Sequence, residues 1–259
     1  MLILPAGFDF CMRNIKLIVA YDGTDFAGWQ IQPEAPTIQR TLASAIGRIT
    51  GENVLPQGSG RTDAGVHALA QVATFQTQSV IPTGNFVTAL NDILPASIRV
   101  LESSEVAAPF HPRWSARAKT YRYRMYRDPI CPPFLARYVW HYPYPLDEGL
   151  MQQAASAIVG EHDFTSLAAV DPEREKEEVS NLRQVFSSSW ERQADEFVYT
   201  VRGSGFLHHM VRNLVGTFLL VGKGTLKPSD MTRILEARSR SAAGATAPAN
   251  GLYLVSVEY

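Results

Sequence analysis

Asp63 is the acidic side chain whose neighbours point most directly to chemistry. It lies in G-S-G-R-T-D-A-G-V-H-A, residues 58–68, with Arg61 two positions before it. Gly58, Gly60 and Gly65 permit positive φ and close approach of the backbone to a ligand. The segment has neither helical nor strand periodicity, so it reads as a shaped loop. Val72–Phe75 follows as an apolar run and predicts a buried strand. A carboxylate and a guanidinium on a tight loop beside a rigid strand are well placed for chemistry. The plainer alternative is a turn in which Asp63 only caps the backbone. The loop lacks the Gly-Lys-Ser/Thr ending of a P-loop. No helix pattern opens on its third glycine, so it is no dinucleotide-binding fingerprint either.

Two further side chains stand out by setting. In A-K-T-Y-R-Y-R-M-Y, residues 118–126, Tyr121, Tyr123 and Met125 share one face of a strand, and Arg122, Arg124 and Tyr126 share the other. Such a strand at a cleft edge places a tyrosine ring inside and arginines outside; a core tyrosine is the alternative for Tyr121. Arg212 lies deep in an apolar helical pattern, where a guanidinium is costly unless paired. It is expected to pair with Asp63 or to reach a substrate phosphate, against a structural ion pair elsewhere. Asp22 and Asp25 read as turn caps rather than a metal or catalytic pair, because no further ligand cluster lies nearby. His162-Asp163 resembles the HD pair of metal phosphohydrolases but lacks the additional ligands. His111 and Arg113 are candidates for substrate contact, with a structural role for His111 equally open.

The elements that must position these groups follow from periodicity. Ile15–Tyr21 predicts the first strand. Thr37 predicts an N-cap for a helix with Ile38, Leu42, Ile46 and Ile49 inward, ended by Gly51. A helix is predicted over Asn85–Ile93 and a short strand over Ile98–Leu101. Residues 103–116, with two prolines and no period, are the candidate domain boundary. Asp147 predicts a cap for a helix reaching Val159. Leu182–Trp190 and Phe197–Arg202 read as a hairpin joined near Gln193–Asp195. Phe206, Met210, Leu214 and Phe218 keep helical spacing in a largely buried helix. Ser229 predicts the cap of a last helix, and Leu252–Tyr259 a final strand.

Composition narrows the class. The chain has 259 residues, 46% of them hydrophobic and 19% charged, as in globular proteins. No apolar run reaches the roughly 18 residues a membrane-spanning helix needs. Met1–Phe10 is apolar yet lacks a basic flank and a clear cleavage site, so it does not read as a signal peptide; Met12 offers an alternative start. Cys11 and Cys131 make no disulfide framework, which suits a reducing cytoplasm. The six histidines form no zinc pattern with cysteines. The net charge of −1 argues against unspecific nucleic-acid binding. Its distribution argues the other way: Arg113, Arg117, Lys119, Arg122, Arg124, Arg127 and Arg137 are interleaved with Trp114, Tyr121, Tyr123, Tyr126 and Phe134. That pattern suits phosphate contacts and base stacking, or a solvated strand face. The acidic run 171–178 reads as a solvated linker.

The string G-R-T-D-A-G-V-H-A closely resembles the catalytic motif of the tRNA pseudouridine synthase A family. Y-D-G-T-D-F-A-G-W-Q at 21–30, F-H-P-R-W-S-A at 110–116, the segment 203–217 and A-P-A-N-G-L-Y-L at 247–254 are similar to that family as well. The resemblance runs from Tyr21 to Tyr259. One departure is Leu167-Ala168-Ala169, where the family usually continues H-D-F-x-S-F with an arginine and often a nearby cysteine.

Element mixture with short hairpins predicts an α+β fold with antiparallel sheet. The resemblance implies two similar domains with mixed, mainly antiparallel sheets joined across a central basic cleft, the pseudouridine synthase fold. The expected division is an extension at 1–12, a catalytic domain at 13–108 and a second domain at 109–259. It implies isomerisation of uridine to pseudouridine at tRNA positions 38, 39 and 40, in the anticodon stem-loop, by a cytoplasmic homodimer. Asp63 is then the catalytic carboxylate, with Arg61, Tyr121 and Arg212 binding substrate and Tyr121 set against the target base. The chemistry needs no metal or other cofactor. An Asp-dependent glycoside or nucleoside hydrolase is one alternative, weakened because no second carboxylic acid partners Asp63. A non-catalytic RNA-binding module is another, weakened by retention of R-T-D.

Overall fold

A computed structural model of the chain describes residues 12–169 and 180–259. The N-terminal stretch Met1–Phe10 and the acidic run 171–178 lie outside the described residues. The fold is α+β: one twisted, mainly antiparallel sheet with helices packed on it.

The alternating sequence of the first strand, β1 (Arg13–Tyr21), buries Ile15, Leu17, Val19 and Tyr21 on one face. It is flanked by β3 (His67–Thr77) and β4 (Ile98–Val106), both antiparallel to it. A two-residue strand β2 (Gln57–Gly58) adds to β3. Helix α1 (Ile38–Thr50) starts where the Thr37 side chain accepts from the Arg40 N–H and stops at left-handed Gly51, φ 76°. Its Ile38, Leu42 and Ile46 are fully buried, each contributing roughly 1.5–3 kcal/mol. Helix α2 (Asn85–Asn91) packs Phe86 edge-on against Phe75, with centroids 5.5 Å apart.

The second half centres on β5 (Ala118–Tyr126), with a two-residue strand β6 (Trp140–His141) beside it. Beyond β5, β7 (Gly160–Asp163), β8 (Leu182–Gln193) and β9 (Glu196–Gly203) continue the sheet. Helix α3 (Glu148–Ser156) is capped by Asp147, whose Oδ1 accepts from the Leu150 N–H at 2.9 Å. Helix α4 (Met210–Gly222) crosses this half almost wholly buried, its Phe218 edge-on to Tyr199 of β9. Helix α5 (Asp230–Glu236) closes it.

The last strand, β10 (Leu252–Glu258), joins the halves. It lies between β3 and β5, parallel to the first through Tyr253↔His67 and Leu254↔Ala68 and antiparallel to the second through Leu254↔Tyr121. Ala68, Leu254 and Tyr121 therefore stand in one row across the sheet. That row fixes the distance between the loop preceding β3, which carries Asp63, and the strand carrying Tyr121.

Four sequence expectations are corrected. The strand expected over Ile98–Leu101 runs on to Val106, because pairing with β1 as far as Asn14↔Val106 holds polar Ser103, Ser104 and Glu105 in register. The helix expected to reach Val159 ends at Ser156, where the chain turns into β7. Phe206 lies outside α4, because left-handed His209, φ 59°, delays the helix until Met210. Ser229 makes no side-chain cap on α5; Asp230 Oδ2 accepts from the Lys227 N–H at 2.8 Å instead.

Candidate active site

The Asp63 loop is held from beneath. Trp29 is 2% exposed, and its backbone N–H donates to the Thr62 carbonyl at 3.0 Å. A side chain at Gly58 would meet the Trp29 ring at 2.6 Å, so the loop rests directly on the indole. Gly28 has φ +93°, and a Cβ there would lie 2.6 Å from the Thr62 carbonyl oxygen. Only glycine accommodates that approach at that φ. Thr62 is buried, and its Oγ1 bonds the Tyr21 hydroxyl at 2.9 Å. Gln71 ties the loop further, accepting from Ser59 Oγ at 2.6 Å and donating to the Gly60 carbonyl at 3.0 Å. Inward Thr62 leaves Arg61 exposed at the lip and Asp63 partly buried. A turn closes the loop, Val66 N–H to Asp63 carbonyl at 3.2 Å, through Gly65 at φ +77°.

Arg212, in the first turn of α4, reaches Asp63: its Nη1 donates to Oδ2 at 2.8 Å, with side-chain exposures of 15% and 19%. Arg212 Nε donates to the Ala247 carbonyl at 2.8 Å, so the guanidinium is held at both ends. This clamp occupies Oδ2. Among the described residues no hydrogen bond is made to Oδ1.

Tyr121, close enough to feel the Asp63 charge, is 8% exposed, its ring edge-on to Phe206 with centroids 5.0 Å apart. Burial, and then the neighbouring Tyr21 and Asp63, push its hydroxyl well above the usual phenol range. At neutral pH it is therefore a neutral ring and a hydroxyl donor. Burial pushes Tyr21 up to about 12. Lys119, two residues before Tyr121, donates to the Ser59 carbonyl at 2.6 Å. Burial, then the positive charges of Arg113 and Arg183, pull it down to about 8.

His208 and His209 lie in the family-like segment 203–217 and were not singled out from the sequence, yet both face Asp63. His208 Nε2 lies 3.7 Å from Oδ1 and His209 Nε2 lies 3.4 Å from Oδ2. Burial outweighs the attraction of Asp63 and holds His209 below the usual imidazole range. The departing segment Leu167-Ala168-Ala169 forms the wall here, with the Ala169 N–H donating to the His208 carbonyl at 2.9 Å and Asn213 Nδ2 to the Leu167 carbonyl at 2.9 Å.

The other candidates separate from this site. Asp22 is a turn cap, its Oδ1 accepting from the Thr24 N–H and hydroxyl at 3.0 and 2.5 Å. Asp25 pairs with Arg137 at 2.5 Å. Asp163 Oδ1 likewise accepts from the Thr165 N–H and hydroxyl. His111 is a turn residue, its Nδ1 accepting from the Arg113 and Trp114 N–H groups at 3.1 and 3.3 Å. Within the basic run, Arg124 pairs with Glu196 at 2.5 Å and Arg127 lies 3.7 Å from Glu148. Those arginines brace strands. Arg113 lies over the Trp114 ring, 4.6 Å from its centroid, on an exposed surface. The cavity lined by Ile130, Cys131, Trp140 and Asn250 includes none of the residues around Asp63.

Comparison with known proteins extends this geometry. The family model described as tRNA pseudouridine synthase matches residues 17–115 and 154–259. The chain is 54% identical over 248 residues to a protein named tRNA pseudouridine synthase A from Solibacter usitatus, covering 96% of this chain and 100% of that one. It is 47% identical to the protein of that name from Moorella thermoacetica and 44% identical to that from Caldicellulosiruptor saccharolyticus, with the same coverage of both chains.

Proposed function

The chain belongs to the tRNA pseudouridine synthase family, and from that premise we propose that it isomerises uridine to pseudouridine at positions 38, 39 and 40 of the tRNA anticodon stem-loop, with Asp63 as the catalytic carboxylate. The observation that carries the reading is the clamp of Arg212 on Asp63 Oδ2 at 2.8 Å, with Oδ1 accepting no hydrogen bond among the described residues.

The reaction breaks the C1′–N1 bond of uridine, turns the uracil, forms a C1′–C5 bond, and in net terms exchanges the C5 proton for one on N1. It is an isomerisation and consumes no second substrate. A base within a stem must first leave the stack, at a cost of a few kcal/mol. Arg61, exposed two residues from Asp63, takes the space left by the extruded nucleotide. The neutral Tyr121 ring stacks on the uracil, and the carboxylate acts at the sugar or the base from Oδ1. Arg212 keeps that carboxylate in one orientation, so that little reorganisation is needed at the moment of reaction. Exposed Arg113 and Arg117 meet the RNA backbone.

The same premise supports a homodimer acting in the cytoplasm and a division of the chain into 13–108 and 109–259. Among the described residues no helix is long and apolar enough to cross a membrane. Sedimentation of the purified protein tests the dimer.

The test of function is base-by-base mapping of an unmodified tRNA after incubation with the protein. Pseudouridine at positions 38 to 40 in an uncleaved chain is the expected result. Release of uracil would identify a hydrolase, and bound but unchanged tRNA a binding module.

A further inference from the structure

We propose that Asp63, His208 and His209 form a binding site for a borderline divalent transition-metal ion such as Zn²⁺, and that its occupation withdraws Asp63 from catalysis. The inhibitory half rests on the function proposed above; the binding half does not.

The argument starts from spacing. Asp63 Oδ1 and His208 Nε2 are 3.7 Å apart, Asp63 Oδ2 and His209 Nε2 3.4 Å, and one ligand atom from each of the three residues falls within 4.8 Å of the others. Both pairs are too long for good hydrogen bonds, which fall at about 2.7–3.2 Å. They approach the edge of a tetrahedron around zinc, about 3.3 Å for bonds of about 2.0–2.1 Å. Two imidazoles and a carboxylate are a donor set zinc takes readily, with a fourth position for water.

The backbone supplies the second part. Side chains of consecutive residues diverge by about 100° on a helix and alternate across a strand. Here the His208 and His209 rings lie with centroids 4.0 Å apart, facing one carboxylate. His209 achieves this at φ 59°, ψ 2°, a left-handed conformation uncommon for a residue with a side chain. The Ala169 N–H on the His208 carbonyl holds the turn from outside.

The third part is competition. A dication shared by the three ligands would take up the carboxylate that Arg212 now clamps, and would lie close to a guanidinium of like charge. Metal and Arg212 therefore contend for Asp63. That sets a moderate affinity, and it makes the bound form inactive, since the free Oδ1 is consumed as a ligand.

Calorimetric titration of the chelator-treated full chain with Zn²⁺ tests the site, with Co²⁺ absorption as a spectroscopic check on coordination. One ion per chain is expected. His208→Gln, at a half-exposed side chain, weakens binding about 10-fold or more, and Asp63→Asn does so too, while Cys11→Ser/Cys131→Ser leaves it unchanged. Thermal unfolding of each variant verifies that it is folded. In the isomerase assay, the zinc concentration giving half-inhibition rises in His208→Gln by the factor its affinity falls, measured against its own zinc-free rate. Absence of binding, or wild-type affinity in His208→Gln, overturns the proposal. A protein that isomerises no uridine would overturn the preceding reading, and calorimetry would still decide the site.

Discussion

Asp63 owes its position to two residues that look unrelated in the sequence. Thr62 is pinned inward by Tyr21, and Arg212 takes Oδ2 from a helix 149 positions away. The arginine does two jobs, since its Nε also satisfies the Ala247 carbonyl. Arg212→Lys replaces a rigid fork by a single ammonium that cannot meet both acceptors. It should reduce isomerisation about 10²-fold, with most of the loss in kcat rather than KM if the clamp orients the carboxylate. Arg212→Met leaves a partly buried carboxylate without its partner and should lower stability by about 1–3 kcal/mol in denaturant unfolding. A variant of wild-type stability and activity would remove the clamp from the account. At this scale the sequence was partly legible. A lone arginine in an apolar helical pattern must find an acid, which limits its partners; the histidine pair was hidden, because neighbouring residues are not expected to face one group. The left-handed turn at His209 that brings them together is uncommon for any residue but glycine, and histidine's modest enrichment there is too weak to predict it.

Among the elements, residues 21–30 pack closely against the Asp63 loop. Gly28→Ala would place a Cβ against the Thr62 carbonyl at a φ of +93°. It should lower the unfolding free energy by about 1–3 kcal/mol and reduce activity further than that loss explains. By contrast Asp147→Ala removes only the cap of α3. It should lower stability by about 1 kcal/mol and leave the rate per folded molecule unchanged. Most elements could be read in advance for physical reasons visible in particular residues: Thr37 and Gly51 bracket α1, and the strict alternation of 118–126 yields β5. Polar 103–106 could not, because its strand exists only through pairing with β1. Ser229 misled for a similar reason: the adjacent Asp230 supplied a stronger acceptor.

Across the whole molecule, β10 is the link that turns two sets of elements into one site, since it spaces β3 and β5. The buried ionisable groups near that seam also shape the pH dependence of stability. Lys119 is pulled down to about 8 from an ordinary 10.5. Between those values the unfolded chain binds a proton that the folded chain has released, so stability rises with pH. Tyr121, Tyr123 and Tyr199 are held above the ordinary 10.0, chiefly by burial. Above that value the unfolded chain loses protons the folded chain keeps, so stability falls. The urea midpoint should therefore rise between pH 8 and 10 and drop beyond, and Lys119→Met should flatten the rise. A midpoint unaltered by that substitution would contradict the assignment. The central claim is that Asp63 performs the isomerisation. Its most direct test maps pseudouridine in unmodified tRNA treated with wild type and with Asp63→Asn, alongside tRNA binding by each. The account predicts signal at positions 38 to 40 with wild type, none with the variant, and binding by both; pseudouridine formed by Asp63→Asn at the wild-type rate would contradict it.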